Sequence, residues 1–172
     1  MLKPKMAAAL NEQIVKEFYS AYLYMSMAGY FENKALPGLA KWMRVQAQEE
    51  SCHALIFFNY VCEQGAAAVL GPVKGVPCEF PSPLGVFEHT LKHEREVTAS
   101  IDKLVDLALD LRDHATKQFL EWFVAEQVEE EASADNMRQQ LERIADGQAL
   151  FVLDKDAGTR VFALPAPLTG KI

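Results

Sequence analysis

The chain has 172 residues, 50% hydrophobic and 24% charged, with 9 Gly and 8 Pro, an ordinary globular composition of one-domain length. Its net charge of -7 argues against a nucleic-acid or anionic-membrane partner, both of which a carboxylate-rich surface would repel. The three cysteines, Cys52, Cys62 and Cys78, are odd in number and form no C-x-x-C pair, so neither a disulfide framework nor a thiolate zinc site is expected and a reducing cytoplasm is the expected compartment.

In chain order, MLKPKMAAAL carries two lysines and a short apolar run, which Asn11 and Glu12 interrupt well short of a signal-peptide core. No stretch approaches the roughly 20 apolar residues of a membrane span. Helical patterning first runs over about 5–34, and KALPGL (34–39) breaks it with Pro37 and Gly38. A second helix is expected over about 38–65. The prolines and glycines of AAAVLGPVKGVPCEFPSPLG (66–85) then forbid continuous helix. Extended at about 3.3 Å per residue, this segment reaches roughly 60 Å, enough to run the length of a bundle. It therefore predicts a long crossover that leaves helices two and three parallel. The third helix follows over about 84–111, LRDHAT (111–116) offers Asp113 as a cap, and the fourth runs over about 115–145. Beyond Asp146-Gly147 come a short fifth helix (about 148–157) and a Pro-rich tail. The expectation is an all-α four-helix bundle, residues 1–146, with the long crossover between helices two and three. Residues 147–172 add a short C-terminal fifth helix and tail to the same domain.

Core stripes three and four residues apart contain polar interruptions. The first helix gives Ala7, Leu10, Ile14, Glu17, Ala21, Tyr24, Ala28 and Phe31, and the second gives Leu39, Met43, Gln46, Glu50, His53, Phe57 and Tyr60. Glu94 interrupts the third between Leu91 and Thr98, and Gln127 and Glu130 interrupt the fourth between Phe123 and Ala134. Each carboxylate lies near the middle of its helix, so Glu17, Glu50, Glu94 and Glu130 should meet at one level. Bare buried anions would cost several kcal/mol each, so they are protonated or share a cation. His53 follows Glu50 by three and Gln127 precedes Glu130 by three, which places each pair on one helix face. Carboxylates with one imidazole suit iron or manganese, and inward Glu from every helix with a Glu-x-x-His is the di-iron carboxylate pattern.

With these ligand types, spacings and helix lengths, and with stretches such as LNEQIVKEFYSAYLYMSMA, AQEESCH and FLEWFVAEQVEEE, the sequence resembles the non-haem bacterial ferritins over nearly its whole length. The resemblance implies that Glu17, Glu50 and His53 bind a first iron, with Glu50 bridging to a second held by Glu94 and Glu130. It places Gln127 beside that second iron, and Tyr24 as a hydrogen-bond partner or electron donor. It further implies a third iron near Glu49, Glu126 and Glu129, and a 24-subunit shell enclosing a ferric mineral. Such a di-iron centre is a ferroxidase: two Fe(II) supply two electrons to dioxygen or hydrogen peroxide.

Rival readings fit less well. Haem-containing bacterioferritins place a methionine directly after the bridging Glu and a second Glu-x-x-His on the fourth helix, where this chain has Ser51 and Gln127-Val128-Glu129-Glu130. A di-iron oxygenase or peroxide-detoxifying enzyme would usually carry two Glu-x-x-His motifs, and the rubrerythrin-like ones add cysteine pairs. A DNA-protecting mini-ferritin would omit the fifth helix. Thr90 replaces the general-base Glu that HTLKH would need as a zincin motif, so His89 and His93 are expected at the surface. Cys52 is expected to pack rather than ligate, and Trp122 to be core or interface.

Overall fold

Proline opens three of the four long helices. Pro4, Pro37 and Pro83 each stand in a first turn, where the missing N–H would have had no partner and φ is already helical. The computed structural model describes residues 2–144 and 147–170, and forms α1 (Pro4–Asn33), α2 (Pro37–Glu63), α3 (Pro83–Asp110), α4 (His114–Glu142), α5 (Gly147–Ala157) and a 3-10 turn (Ala166–Leu168). The expected end of the fourth helix at 145, the expected division at 146 and the outer limits 1 and 172 lie outside the described residues. Ser82 caps α3 by accepting from Gly85 N at 3.0 Å, and Asp113 caps α4, as expected, by accepting from Thr116 N at 3.1 Å. None of the described helices is long and apolar enough to cross a membrane.

Side-chain contacts fix the topology. From α2 to α4 the partners run Tyr60 with Thr116, Phe57 with Phe123 and Gln46 with Glu130, so the two helices are antiparallel. Gln13 with Ser100, Tyr24 with Glu94 and Met27 with Thr90 make α1 and α3 antiparallel too. The short 34–36 connection and the Glu32–Arg44 ion pair do the same for α1 and α2. Both α2 and α3 thus oppose α1 and are parallel to each other, and Trp42 near the start of α2 meets Phe87 near the start of α3 at 5.0 Å. The crossover therefore runs the bundle's length. Asn11 anchors it by donating to Ala67 O and accepting from Val69 N, each at 3.0 Å, and Ser26 donates to Pro77 O at 2.7 Å.

Two apolar clusters hold the helices together. One gathers Met6, Leu10, Phe57, Ile101, Leu120 and Phe123, and the other Leu23, Met27, Phe31, Leu39, Met43 and Phe87. The polar stripe residues lie between them, sealed above and below by side chains whose truncation costs about 2–5 kcal/mol each. Because rigid apolar packing flanks this layer on both sides, its geometry is fixed before any ligand arrives.

α5 docks on the start of α2 through a glycine. A Cβ at Gly38 would fall 1.6 Å from the carbonyl oxygen of Asp154, so only glycine permits this approach. The buried Asp154 carboxylate then accepts from Leu39 N at 2.8 Å, satisfying an otherwise unpaired donor in the first turn of α2. Gly38→Ala should push α5 away and lower stability by about 2–3 kcal/mol. Chemical denaturation checks this, and an unchanged midpoint would show that the docking adds nothing.

Candidate metal centre

The stripe polar residues meet inside the bundle. Glu17, Glu50, His53, Glu94, Gln127 and Glu130 are all buried, none more than 6% exposed. Glu17, Glu50 and His53 bring one ligand atom each within 4.8 Å of one another, and His53, Glu126 and Glu130 form a second such group. His53 takes part in both because its two ring nitrogens face different carboxylates: Nδ1 lies 3.4 Å from Glu50 Oε2 and Nε2 lies 3.8 Å from Glu126 Oε1. Among the described residues, Nε2 of His53 is a buried side-chain atom with no hydrogen-bond partner. A buried ring nitrogen without a hydrogen-bond partner, facing the Glu126 carboxylate, has the donor chemistry of a metal ligand.

Neighbouring side chains hold these groups in place. Tyr24 donates its hydroxyl to Glu94 Oε1, and Gln127 Nε2 lies 3.3 Å from Glu94 Oε2, the Glu94 carbonyl and Thr98 Oγ1. Gln46 donates to Glu130 Oε2. Glu17 is fixed by a chain of donors running inward: Lys16 Nζ donates to Ser100 Oγ at 2.7 Å, Ser100 to Gln13 Oε1 at 2.6 Å, and Gln13 Nε2 to Glu17 Oε1 at 2.8 Å. Trp122 and Phe123 set their edges against the His53 ring at 5.5 and 5.9 Å, fixing its plane. Gln13, Ser100 and Gln46 are supports that the sequence reading did not assign. Gln46 lay in the expected stripe four residues before Glu50, and Gln13 stands four residues before Glu17, so helical spacing was the signal for both.

Burial governs the electrostatics. Desolvation raises the carboxyls of Glu17 and Glu130 and pushes Glu50 well above the carboxylate range. Glu94 is pushed up to about 8, first by burial and then by the charge of Glu130. His53 goes the other way from a typical buried imidazole: burial lowers its pKa, but Glu126 and Glu50 beside it outweigh that and carry it well above 6.5. Burial also raises the Tyr24 hydroxyl, with Glu94 adding to the effect, so Tyr24 stays a neutral donor. Without a cation, then, the layer holds protons. A divalent ion would displace them and supply the missing positive charge.

Of the remaining acidic candidates, Glu126 and Glu49 border the layer, and Glu129 joins neither metal-capable group. Glu126 is half-buried and faces His53, Glu129 is exposed, and Glu49 is half-buried and paired with Arg160. Burial raises Glu49 to about 7 against the opposing pull of Arg160. His89 and His93 depart from their expected surface placement. Both are half-buried, and His93 Nε2 shares a 2.8 Å hydrogen bond with Ser20 Oγ while its ring packs against Tyr19 and Tyr24. Burial pushes His93 down to about 4. Cys52 is buried, as expected of a packing residue.

A family model described as ferritin-like domain matches residues 7–144. The bacterial non-heme ferritin of Bacteroides fragilis is 42% identical over 160 residues, 93% of this chain and 100% of that protein. The one from Staphylococcus aureus is 38% identical over 163 residues, 94% of this chain and 98% of the relative. Among solved structures, an Archaeoglobus fulgidus ferritin engineered into a closed form superposes with a TM-score of 0.94 at 49% identity, covering 95% of this chain and 100% of that one. The open-pore ferritin of the same archaeon gives 0.92 at 48% identity, covering 94% and 100%.

Proposed function

The chain belongs to the ferritin family, and from that premise we propose that it stores iron, oxidising Fe(II) at a di-iron site inside each subunit. Fe(II) is the substrate. Glu17, Glu50 and His53 would hold one ion, and Glu50, Glu94 and Glu130 the other, with Gln127 and Tyr24 orienting Glu94. The observation that carries this reading is the buried layer itself, in which His53 Nε2 has no hydrogen-bond partner and burial keeps the carboxyls protonated. Such a layer destabilises the empty subunit and fits a site built for cations.

Two ions side by side supply two electrons together, reducing dioxygen to hydrogen peroxide, or hydrogen peroxide to water, with two protons consumed at the oxidant. The chain's own part is to order the charges. Glu50 and His53 release their protons as the ions bind, Glu94 is steered by Tyr24 and Gln127, and the apolar clusters exclude bulk water. Oxidised iron then leaves past Glu49, Glu126 and Glu129, which would serve as the third iron site. It collects as a ferric mineral inside a shell of 24 subunits, in the cytoplasm.

Stopped-flow addition of Fe(II) to the metal-free protein in air tests the reading. A fast phase that saturates near two or three ions per subunit is expected, with light scattering showing a particle many times the 19.2 kDa subunit. A rate no faster than free Fe(II), or a stable monomer, would refute it.

A further inference from the structure

Beyond α5 the chain turns back along α2 and delivers a fixed cation to the edge of the acidic layer. Arg160 donates from Nη1 to Gln46 Oε1 at 2.7 Å, pairs through Nη2 with Glu49 Oε2, and lies 4.3 Å from the Trp42 ring centroid. Gln46 in turn donates to Glu130, so a single guanidinium touches one acidic residue of the edge and, through one amide, one of the centre. Its planar fork and weak hydration suit this combination of paired and stacked contacts. The position matters because Glu49 is the edge carboxylate nearest in sequence to Glu50, while Glu126 faces the unpartnered His53 Nε2 and Glu130 groups with His53 and Glu126.

We propose that Arg160 is a built-in cation that competes with a third metal ion for Glu49, so that the third ion binds only when the guanidinium lets go. This rests on the assignment of Glu49, Glu126 and Glu129 to a third iron. Two like charges cannot share one half-buried carboxylate without mutual repulsion, so occupancy of one lowers affinity for the other. Arg160 is a positioning residue: it touches no ion, and acts by occupying Glu49 and by aiming the Gln46 amide at Glu130. The competition also ties the segment after α5 to the metal load, because Arg160 is one of the contacts that hold this segment against α2.

Anaerobic equilibrium titration with Co(II), read as ions bound per assembled subunit, tests the proposal. The wild-type protein should bind two ions tightly and a third weakly. Arg160→Gln should tighten the third by about tenfold or more and leave the ion at Glu17, Glu50 and His53 within about twofold, while the ion beside Glu130 can shift because Gln46 loses its partner. Arg160→Lys, which keeps the charge, should stay nearer the wild type, and behaviour like the Gln variant would overturn competition by charge. Equal third-site affinity in wild type and Arg160→Gln would overturn the role of Arg160 while leaving the third-site assignment standing. Absence of a third ion in Arg160→Gln, or its persistence after adding Glu49→Gln, would overturn both. Hydrogen exchange supplies a readout independent of ion counting: backbone amides at 158–162 should exchange faster in the wild type once the third ion binds, and unchanged exchange would contradict release.

Discussion

Glu50→Ala should slow Fe(II) oxidation by roughly 100-fold or more while leaving the bundle assembled. Glu50 shares one cluster with Glu17 and His53 and feels the charges of Glu94 and Glu17, so its removal weakens both proposed ion positions at once. The fold should survive because no structural hydrogen bond ends on this carboxylate in the way that Asp154 serves α2: its partner is His53, itself a proposed ligand. Glu50→Gln should leave the metal-free subunit about as stable as the wild type, because burial holds Glu50 well above the carboxylate range and the amide replaces a carboxyl that is already neutral. Single-turnover kinetics and thermal unfolding measure the two effects. Wild-type kinetics in Glu50→Ala would mean that the reacting iron lies elsewhere.

The metal-free subunit should lose stability as pH rises from 6.5 to 8.5, and the loaded one should gain it. Glu94 ionises only near 8 and Glu49 near 7 in the fold, against an ordinary 4.5, and Glu50 and His53 are also raised. Across that window the folded chain holds more protons than the unfolded one, so stability falls as pH rises. What these groups contribute is fully present below the unfolded pKa values and is lost as pH passes the folded ones. His89 and His93 act oppositely, because burial lowers both, but what they add is nearly complete by about pH 7.5 and the raised groups govern the rest of the window. A fall of roughly 5 °C or more in Tm is expected for the metal-free form. With saturating Co(II) the slope should reverse, because ions bind only the deprotonated ligands. A flat or rising Tm in the metal-free form would show that the carboxylates are already ionised and balanced without metal.

Periodicity made the centre legible before any coordinates. Glu17, Glu50, Glu94 and Glu130 break apolar stripes at matching depth, and a helix has little freedom to turn such a residue outward once the rest of its stripe is buried. The long crossover was equally readable, since Pro72, Pro77, Pro81 and Gly71 bar a helix and the segment's reach fits the bundle length. Supports were harder to see. Gln46 was visible as a polar stripe residue, but its bond to Glu130 depends on how α2 and α4 are rotated, which spacing does not specify. Gln13 stands four residues before Glu17 but one position off the apolar stripe, so spacing suggests the pairing without showing that its amide turns inward. Nothing local announces Arg160, which reaches Glu49 only because the chain after α5 folds back along α2. Gly38 read as a break, whereas its tighter constraint is the Asp154 carbonyl from across the fold. His93 escaped for the same reason: its burial comes from the Tyr19 and Tyr24 rings of α1, which its own helix cannot reveal.

Anomalous diffraction from crystals soaked anaerobically in Fe(II) would locate the iron directly. Two strong iron peaks are expected within each subunit, one bounded by Glu17, Glu50 and His53, the other by Glu50, Glu94 and Glu130. A single peak, or iron found only on exposed carboxylates away from this layer, would contradict the di-iron assignment.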